Sequence, residues 1–216
     1  MSKKMMLLAL AVVSAAAFAL PAGAPAAELH LTNVTKFSGT FNGGTFTAQE
    51  EPTFECGGPN HAEGAVSAGG TTGTISLDYT SCRALGFFEC HSGATAGTIK
   101  TASTFHFITI NSKPGILLTP EHTTFTCAGI ANTTTVTGNL IGTITSPKCG
   151  GSSSEMSISF NSNSGPTQEH KSYTGVSYNL TSQTVTPEGV GGTIKEAGLT
   201  SAATIKSTTV GTLDCT

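Results

Sequence analysis

The chain has 216 residues and a net charge of −3, and only 11% of it is Asp, Glu, Lys or Arg, against about a quarter in an ordinary soluble domain. Beyond the first few residues its cations stand singly, among them Lys36, Arg83, Lys100 and Lys148. The clustered Lys and Arg that phosphate backbones or anionic headgroups require are missing, so nucleic acid is excluded as an expected partner.

Residues 1–26 read as a signal peptide. Lys3 and Lys4 form a positive n-region, Met5 to Leu20 is apolar, and Pro21 and Gly23 end any helix. Ala24-Pro25-Ala26 places small residues at −3 and −1 of a cleavage site. The compact, alanine-rich leader is of bacterial type and predicts a secreted, extracellular or cell-surface protein. No Cys stands at the cleavage point, and no second apolar run approaches 18 residues. Membrane insertion after signal cleavage is therefore not expected. Residues 27–216 are expected to form a single disulfide-stapled β domain, long enough for one core.

Thr supplies roughly a sixth of the chain, with much Ser and Gly, which favours strands and turns. Asn42-Gly43-Gly44, between Phe41 and Phe46, predicts a tight hairpin. In Thr104 to Ile110, Phe105 and Phe107 share one face while His106, Ile108 and Ile110 share the other, as in a central strand. Lys113-Pro114-Gly115 predicts a turn. Val136, Leu140 and Ile144 lie on one parity with Gly138 and Gly142 between them, predicting bends in a long strand. Met156, Ile158 and Phe160 alternate with serines, and Val176, Tyr178 and Leu180 alternate with Ser177 and Asn179. Ser164-Gly165-Pro166 and Pro187-Glu188-Gly189 are turn signals. After the leader no segment holds ten residues of helical periodicity. The expected fold is all-β: an antiparallel β-sandwich or barrel with Greek-key connections.

A cysteine pattern occurs twice. Glu50 to Gly58 resembles Glu121 to Gly129, with Phe54-Glu55-Cys56 matching Phe125-Thr126-Cys127. Each copy is followed by Gly-Thr-Ile (Gly73 to Ile75, Gly142 to Ile144) and then by a second cysteine, Cys82 or Cys149. Two related halves, around 50–112 and 120–180, are the expectation. Six cysteines in an exported chain predict three disulfides. If equivalent positions pair alike, the bridges are Cys56–Cys82 and Cys127–Cys149, leaving Cys90–Cys215. The rival scheme is a local Cys82–Cys90 bridge across Arg83 to Glu89, leaving Cys56 or another cysteine for Cys215. No paired Cys-x2-Cys or His-x3-His spacing suggests a metal, and no cofactor motif is present.

Chemistry-bearing motifs are sparse. Asp78 and Asp214 are the only aspartates. There is no Gly-x-Ser-x-Gly elbow, no His-Glu-x-x-His zinc helix and no phosphate-binding glycine loop. A Glu- and His-based hydrolase would need Glu50, Glu121 or His122 to converge across a cleft. A carbohydrate- or cell-envelope-binding module would need Tyr79, Tyr173 and Tyr178 on one exposed face, since Trp is absent. His91 and His170 are expected in loops, and His106 in a strand.

The segments Gly73 to Cys82, Gly97 to Thr101, Gly138 to Pro147 and Thr212 to Cys215 resemble uncharacterised exported, Thr/Gly-rich, disulfide-containing β-proteins of actinobacteria. The resemblance implies an exported β fold and carries no catalytic residues. The expectation for function is an exported or cell-surface, non-enzymatic β-domain with a structural or binding role, its partner a cell-envelope polymer or another surface protein. The envelope-binding module and the hydrolase are the alternatives.

Overall fold

A computed structural model describes residues 29–130, 132–162, 166–174 and 176–215. The predicted signal peptide and the turn at Ser164-Gly165 lie outside the described residues. The fold is all-β and antiparallel, a barrel of eight staves among the described residues.

The chain runs up and down the barrel wall, and most staves are two strands end to end. Stave one rises through β1 (Leu29–Thr32), β2 (Lys36–Phe41) and β3 (Gly44–Ala48). Stave two descends through β4 (Phe54–Cys56) and β5 (Asn60–Val66), and stave three rises through β6 (Thr72–Tyr79) and β7 (Cys82–Ala84). Stave four is β8 (Phe88–His91) and β9 (Ile99–Ile110); stave five is β10 (Lys113–Pro120) and β11 (Thr123–Cys127). Stave six is β12 (Thr133–Gly138) and β13 (Leu140–Ser146). Stave seven begins as β14 (Gly151–Phe160), leaves the wall for an excursion carrying β15 (Ser172–Tyr173) and β16 (Val176–Ser177), and resumes as β17 (Leu180–Val185). Stave eight, β18 (Lys195–Cys215), spans the full height in 21 residues. It pairs with β14 and β17 on one side and with β1, β2 and β3 on the other, which closes the barrel.

Each stave pairs with its sequence neighbour, so the connectivity is a meander in place of the expected Greek key. Asn42-Gly43 is a kink and not a hairpin, because β2 and β3 pair with the same two staves on either side of it. The turn expected at Lys113-Pro114-Gly115 sits instead at Asn111 and Ser112, both with positive φ, and Lys113 already belongs to β10. Val176, Tyr178 and Leu180 do not form one strand: the first two lie in the excursion and Leu180 opens β17. Residues with positive φ stand at most stave breaks, including Asn33, Gly43, Ser81 and Gly138. Such a residue interrupts the pleat and lets the next strand reset which parity faces inward. Gly138 is the tightest case, since a Cβ there would collide with the Asn179 carbonyl.

Inside the lower half, bulky side chains lie against glycines. Phe37 opposes Gly64, Phe105 opposes Gly73, and Phe160 covers Gly142, so each ring occupies the space a Cβ would need. Phe105 and Phe107 are buried in the lumen, with their rings edge-on at 5.2 Å. Ile108 and Ile110, of opposite parity, face outward and form a small cluster with Leu117 and Ile141. Tyr173 and Tyr178 from the stave-seven excursion cover it, which explains why both faces of this strand are apolar.

Where stave seven leaves the wall, the Gln168 side chain fills the gap. Its amide donates to the Asn161 carbonyl at 3.1 Å and accepts from the Leu199 N–H at 2.5 Å. At the break in stave three, buried Asn60 accepts from the Thr80 N–H at 2.6 Å. Side-chain amides thus satisfy backbone groups that a continuous ladder would have used.

The three disulfides are Cys56–Cys82, Cys90–Cys127 and Cys149–Cys215. The first follows the repeat; the expected Cys127–Cys149 and Cys90–Cys215 bridges do not form. Stave two descends from Cys56 and stave five rises to Cys127, so the two copies of the motif run in opposite directions. Cys127 therefore ends at the upper rim, while Cys149 lies in the turn at the foot of stave six, beside Cys215 at the foot of stave eight. Cys56 opposes Cys82, and Cys90 opposes Cys127, directly across neighbouring strands. The rival Cys82–Cys90 bridge would strand Cys56 and Cys127 three staves apart. Three disulfides point to an oxidising, extracellular-type compartment. No helix among the described residues is long and apolar enough to cross a membrane.

Candidate functional site

An eight-strand barrel has an interior just wide enough to be filled by side chains or to hold one small ligand. This barrel is filled by side chains in its lower half and leaves a cavity in its upper half. The upper half holds a cavity of about 90 Å³ lined by residues of all eight staves, Phe46, Leu77, Val136, Leu180 and Leu199 among them. Its polar side chains are Thr101, Ser103, Thr123 and the hydroxyl of Tyr79. Phe46, Leu77, Val136 and Leu199 keep some accessible surface although they point inward, because the surface they retain faces the cavity. Above it, Phe54 of stave two and Phe125 of stave five meet across the lumen edge to face, with ring centroids 5.0 Å apart. Below it lies the aromatic packing of the lower half, where the Phe41 ring meets Tyr79 at 5.0 Å. Burial pushes the Tyr79 phenol well above its ordinary pKa. It stays neutral and offers a hydroxyl, not a charge.

The wall beside this cavity is broken. Main-chain hydrogen bonding between staves four and five ends with Glu121 N–H to the Ala102 carbonyl at 2.8 Å, just past Ser103 with Pro120, and resumes only at His91 with Thr126. Between those points residues 92–98 loop outward from stave four. The loop is held by its own bonds: Ser92 N–H to the Thr98 carbonyl at 3.0 Å, and Lys100 N–H to Ser92 Oγ at 2.8 Å. Across the break, Thr101 Oγ1 and Thr123 Oγ1 share a hydrogen bond at 2.5 Å. Outside lies a polar groove of about 580 Å³ whose lining includes Ser92, Thr98, Lys100, Glu121, His122 and Thr124. Thr101 and Thr123 line both the groove and the lumen cavity.

The carboxylates and histidines singled out in the sequence do not gather. Glu121 and His122 sit at the break in stave five, in the groove. Glu50 sits at the upper rim after stave one, four staves round the barrel, where it is ion-paired with Lys195. That hydrogen bond and charge hold the Glu50 carboxyl below the usual range. Asp78 is paired with Lys100 at 3.0 Å on the outer wall. His106 lies on the outer face of β9, and His170 approaches Thr143 Oγ1 at 3.4 Å beneath the excursion. Among the described residues no group of three or more His, Cys, Asp or Glu is placed to hold a metal ion. The three tyrosines do not share an exposed face: Tyr79 lies inside the barrel, and Tyr173 and Tyr178 pack on its outside.

The lumen cavity and the Thr101–Thr123 pair were not legible in the sequence. The nearest signal is the run from His91 to Gly97, free of large apolar residues, which interrupts an otherwise long strand pattern. Comparison with protein-family models, with curated proteins and with solved structures finds no match.

Proposed function

We propose that this chain is an exported, non-enzymatic β-barrel that binds a small apolar group in its lumen. The apolar cavity in the upper half carries this reading. An apolar cavity of about 150 Å³ stays dry and accepts apolar guests, the present one is smaller and as apolar in its lining, and barrels of eight strands accommodate one small ligand. The outward positions of staves one to three, including Lys36, Ser38, Glu63, Thr74 and Ser76, are polar. A polar wall around an apolar lumen is the reverse of a barrel that spans a bilayer, and it suits a water-borne carrier or receptor. The separation of Glu50 from Glu121 and His122 removes the carboxylate pair on which the hydrolase reading relied. The leader and the resemblance to exported actinobacterial β-proteins supply the setting outside the cell.

Xenon tests this reading directly. Under xenon pressure, methyl NMR of the oxidised protein should show saturable shifts at Leu77, Leu118, Val136, Leu140 and Leu199. The outer-wall methyls of Ile108, Ile110 and Ile141 should stay still. Unmoved lumen methyls at the highest pressure would overturn the proposal.

A further inference from the structure

Resting on that reading, we propose that the lumen ligand is a small amphiphile. Its short apolar tail lies in the cavity and its neutral, hydroxyl-bearing head lies in the outer groove, the two joined across the Thr101–Thr123 break.

Four observations converge on this arrangement. First, the apolar cavity and the polar groove are adjacent, and the same two residues, Thr101 and Thr123, line both. Second, above the Glu121 N–H to Ala102 carbonyl bond the wall between them lacks a strand ladder: Thr101 and Thr123 close it with a hydroxyl–hydroxyl bond that rotates open without breaking a main-chain pair. Third, aromatic rings stand above and below the cavity. The Phe54 and Phe125 rings meet above, and the Phe37, Phe105 and Phe107 packing fills the space below. Fourth, the groove's chemistry selects the head. Six of its twelve lining residues carry hydroxyls, the Lys100 ammonium is ion-paired with Asp78, and Glu121 would repel an anion. A sugar-like or other polyol head satisfies such a surface, and the groove falls within the 300–1,000 Å³ typical of small-molecule sites.

The cavity also limits the tail. An apolar cavity of about 150 Å³ takes a six-carbon benzene ring, so by the same scale the present one takes roughly four carbons. A longer chain must leave carbons at the crossing or displace the Phe54–Phe125 contact.

The test uses n-butyl β-D-glucoside, with methyl and n-octyl β-D-glucoside for comparison and xenon as the head-free probe. On the oxidised protein, butyl glucoside should shift the lumen methyls of Leu77, Val136 and Leu199 together with the groove amides of Ser92, Thr98 and Thr124. Both sets should fit one dissociation constant. Each buried methylene contributes about fourfold in affinity, so butyl should bind at least tenfold more tightly than methyl, and octyl should gain little over butyl. Val136→Leu, which narrows the lumen, should abolish the butyl advantage and leave the weak shifts from methyl glucoside unchanged. If xenon enters the lumen but butyl glucoside shifts only one of the two sets, the amphiphile proposal fails and the apolar-lumen reading survives. If xenon leaves the lumen methyls unmoved, the apolar-lumen reading itself fails, whatever the glucosides do in the groove.

Discussion

The two halves of the barrel solve the same packing problem in opposite ways. In the lower half, strands β5, β6, β9 and β10 pair without interruption, and Phe37, Phe105 and Phe160 sit over glycines on neighbouring strands. In the upper half the strands are short and staves two to five are all broken. The residues facing inward there leave a cavity of about 90 Å³ unfilled. Two disulfides, Cys56–Cys82 and Cys90–Cys127, tie those same four broken staves in pairs. Packing density and covalent stapling are therefore complementary: the staples stand where close packing has been given up around a cavity. The third bridge, Cys149–Cys215, serves a different end, fixing the foot of stave eight, where β1 also pairs.

The sharpest way to break this comparison is a matched pair of truncations. Phe107→Ala empties a fully packed site in the lower half, where loss of a buried ring costs about 3–5 kcal/mol. Leu199→Ala enlarges a cavity that already exists and removes a side chain already in contact with empty space, so it should cost less, about 1–2 kcal/mol. Urea denaturation of both variants checks the contrast; equal losses would mean that the upper half is as tightly packed as the lower. The next largest effect comes from the staples. Cys56→Ala with Cys82→Ala opens a loop with a separation of 26 residues, which in the chain-entropy model costs about 3 kcal/mol. Hydrogen exchange should quicken in β4, β7 and β3 and change little in β5, β6 and β9. Uniform acceleration across both halves would show that the staple acts through global stability alone.

Much of the lower half was legible in the chain because its signals are local. Alternation places Phe105 and Phe107 on one face and Ile108 and Ile110 on the other, and the structure puts one pair inside and the other under Tyr173 and Tyr178. Gly138 and Gly142 were both read as bends. Only Gly138 is one; Gly142 is a seat for Phe160, a contact set by a neighbouring strand. The disulfides show the limit most clearly. Similar sequence around Cys56 and Cys127 suggested similar pairing, but pairing follows stave direction, and the meander reverses direction at every turn. The candidate site was less legible still. A cavity is what several staves fail to fill together, and Thr101 and Thr123 become neighbours only because residues 92–98 leave the wall. Nothing in either threonine's own surroundings marks it out.

The smallest expected effect concerns the upper rim, which polar clamps hold as well as disulfides. After stave one the chain turns through Glu50 and Glu51. Glu50 is paired with Lys195 at the start of stave eight, and Glu51 accepts from buried Ser182 of stave seven at 3.1 Å. Lys195 holds the Glu50 carboxyl below its ordinary value in the folded chain. A carboxylate depressed on folding contributes stability above its unfolded pKa and loses that contribution as pH falls through the folded one. Glu50 is solvent-facing, so the contribution is minor and screened by salt. Melting curves of the wild type and Glu50→Gln should therefore differ slightly at neutral pH and low ionic strength. They should merge as the solution is acidified below the carboxylate range, or as salt is raised. A gap that persists in acid would assign the rim's stability to the turn geometry of Glu50, whose φ is +59°, and not to its charge.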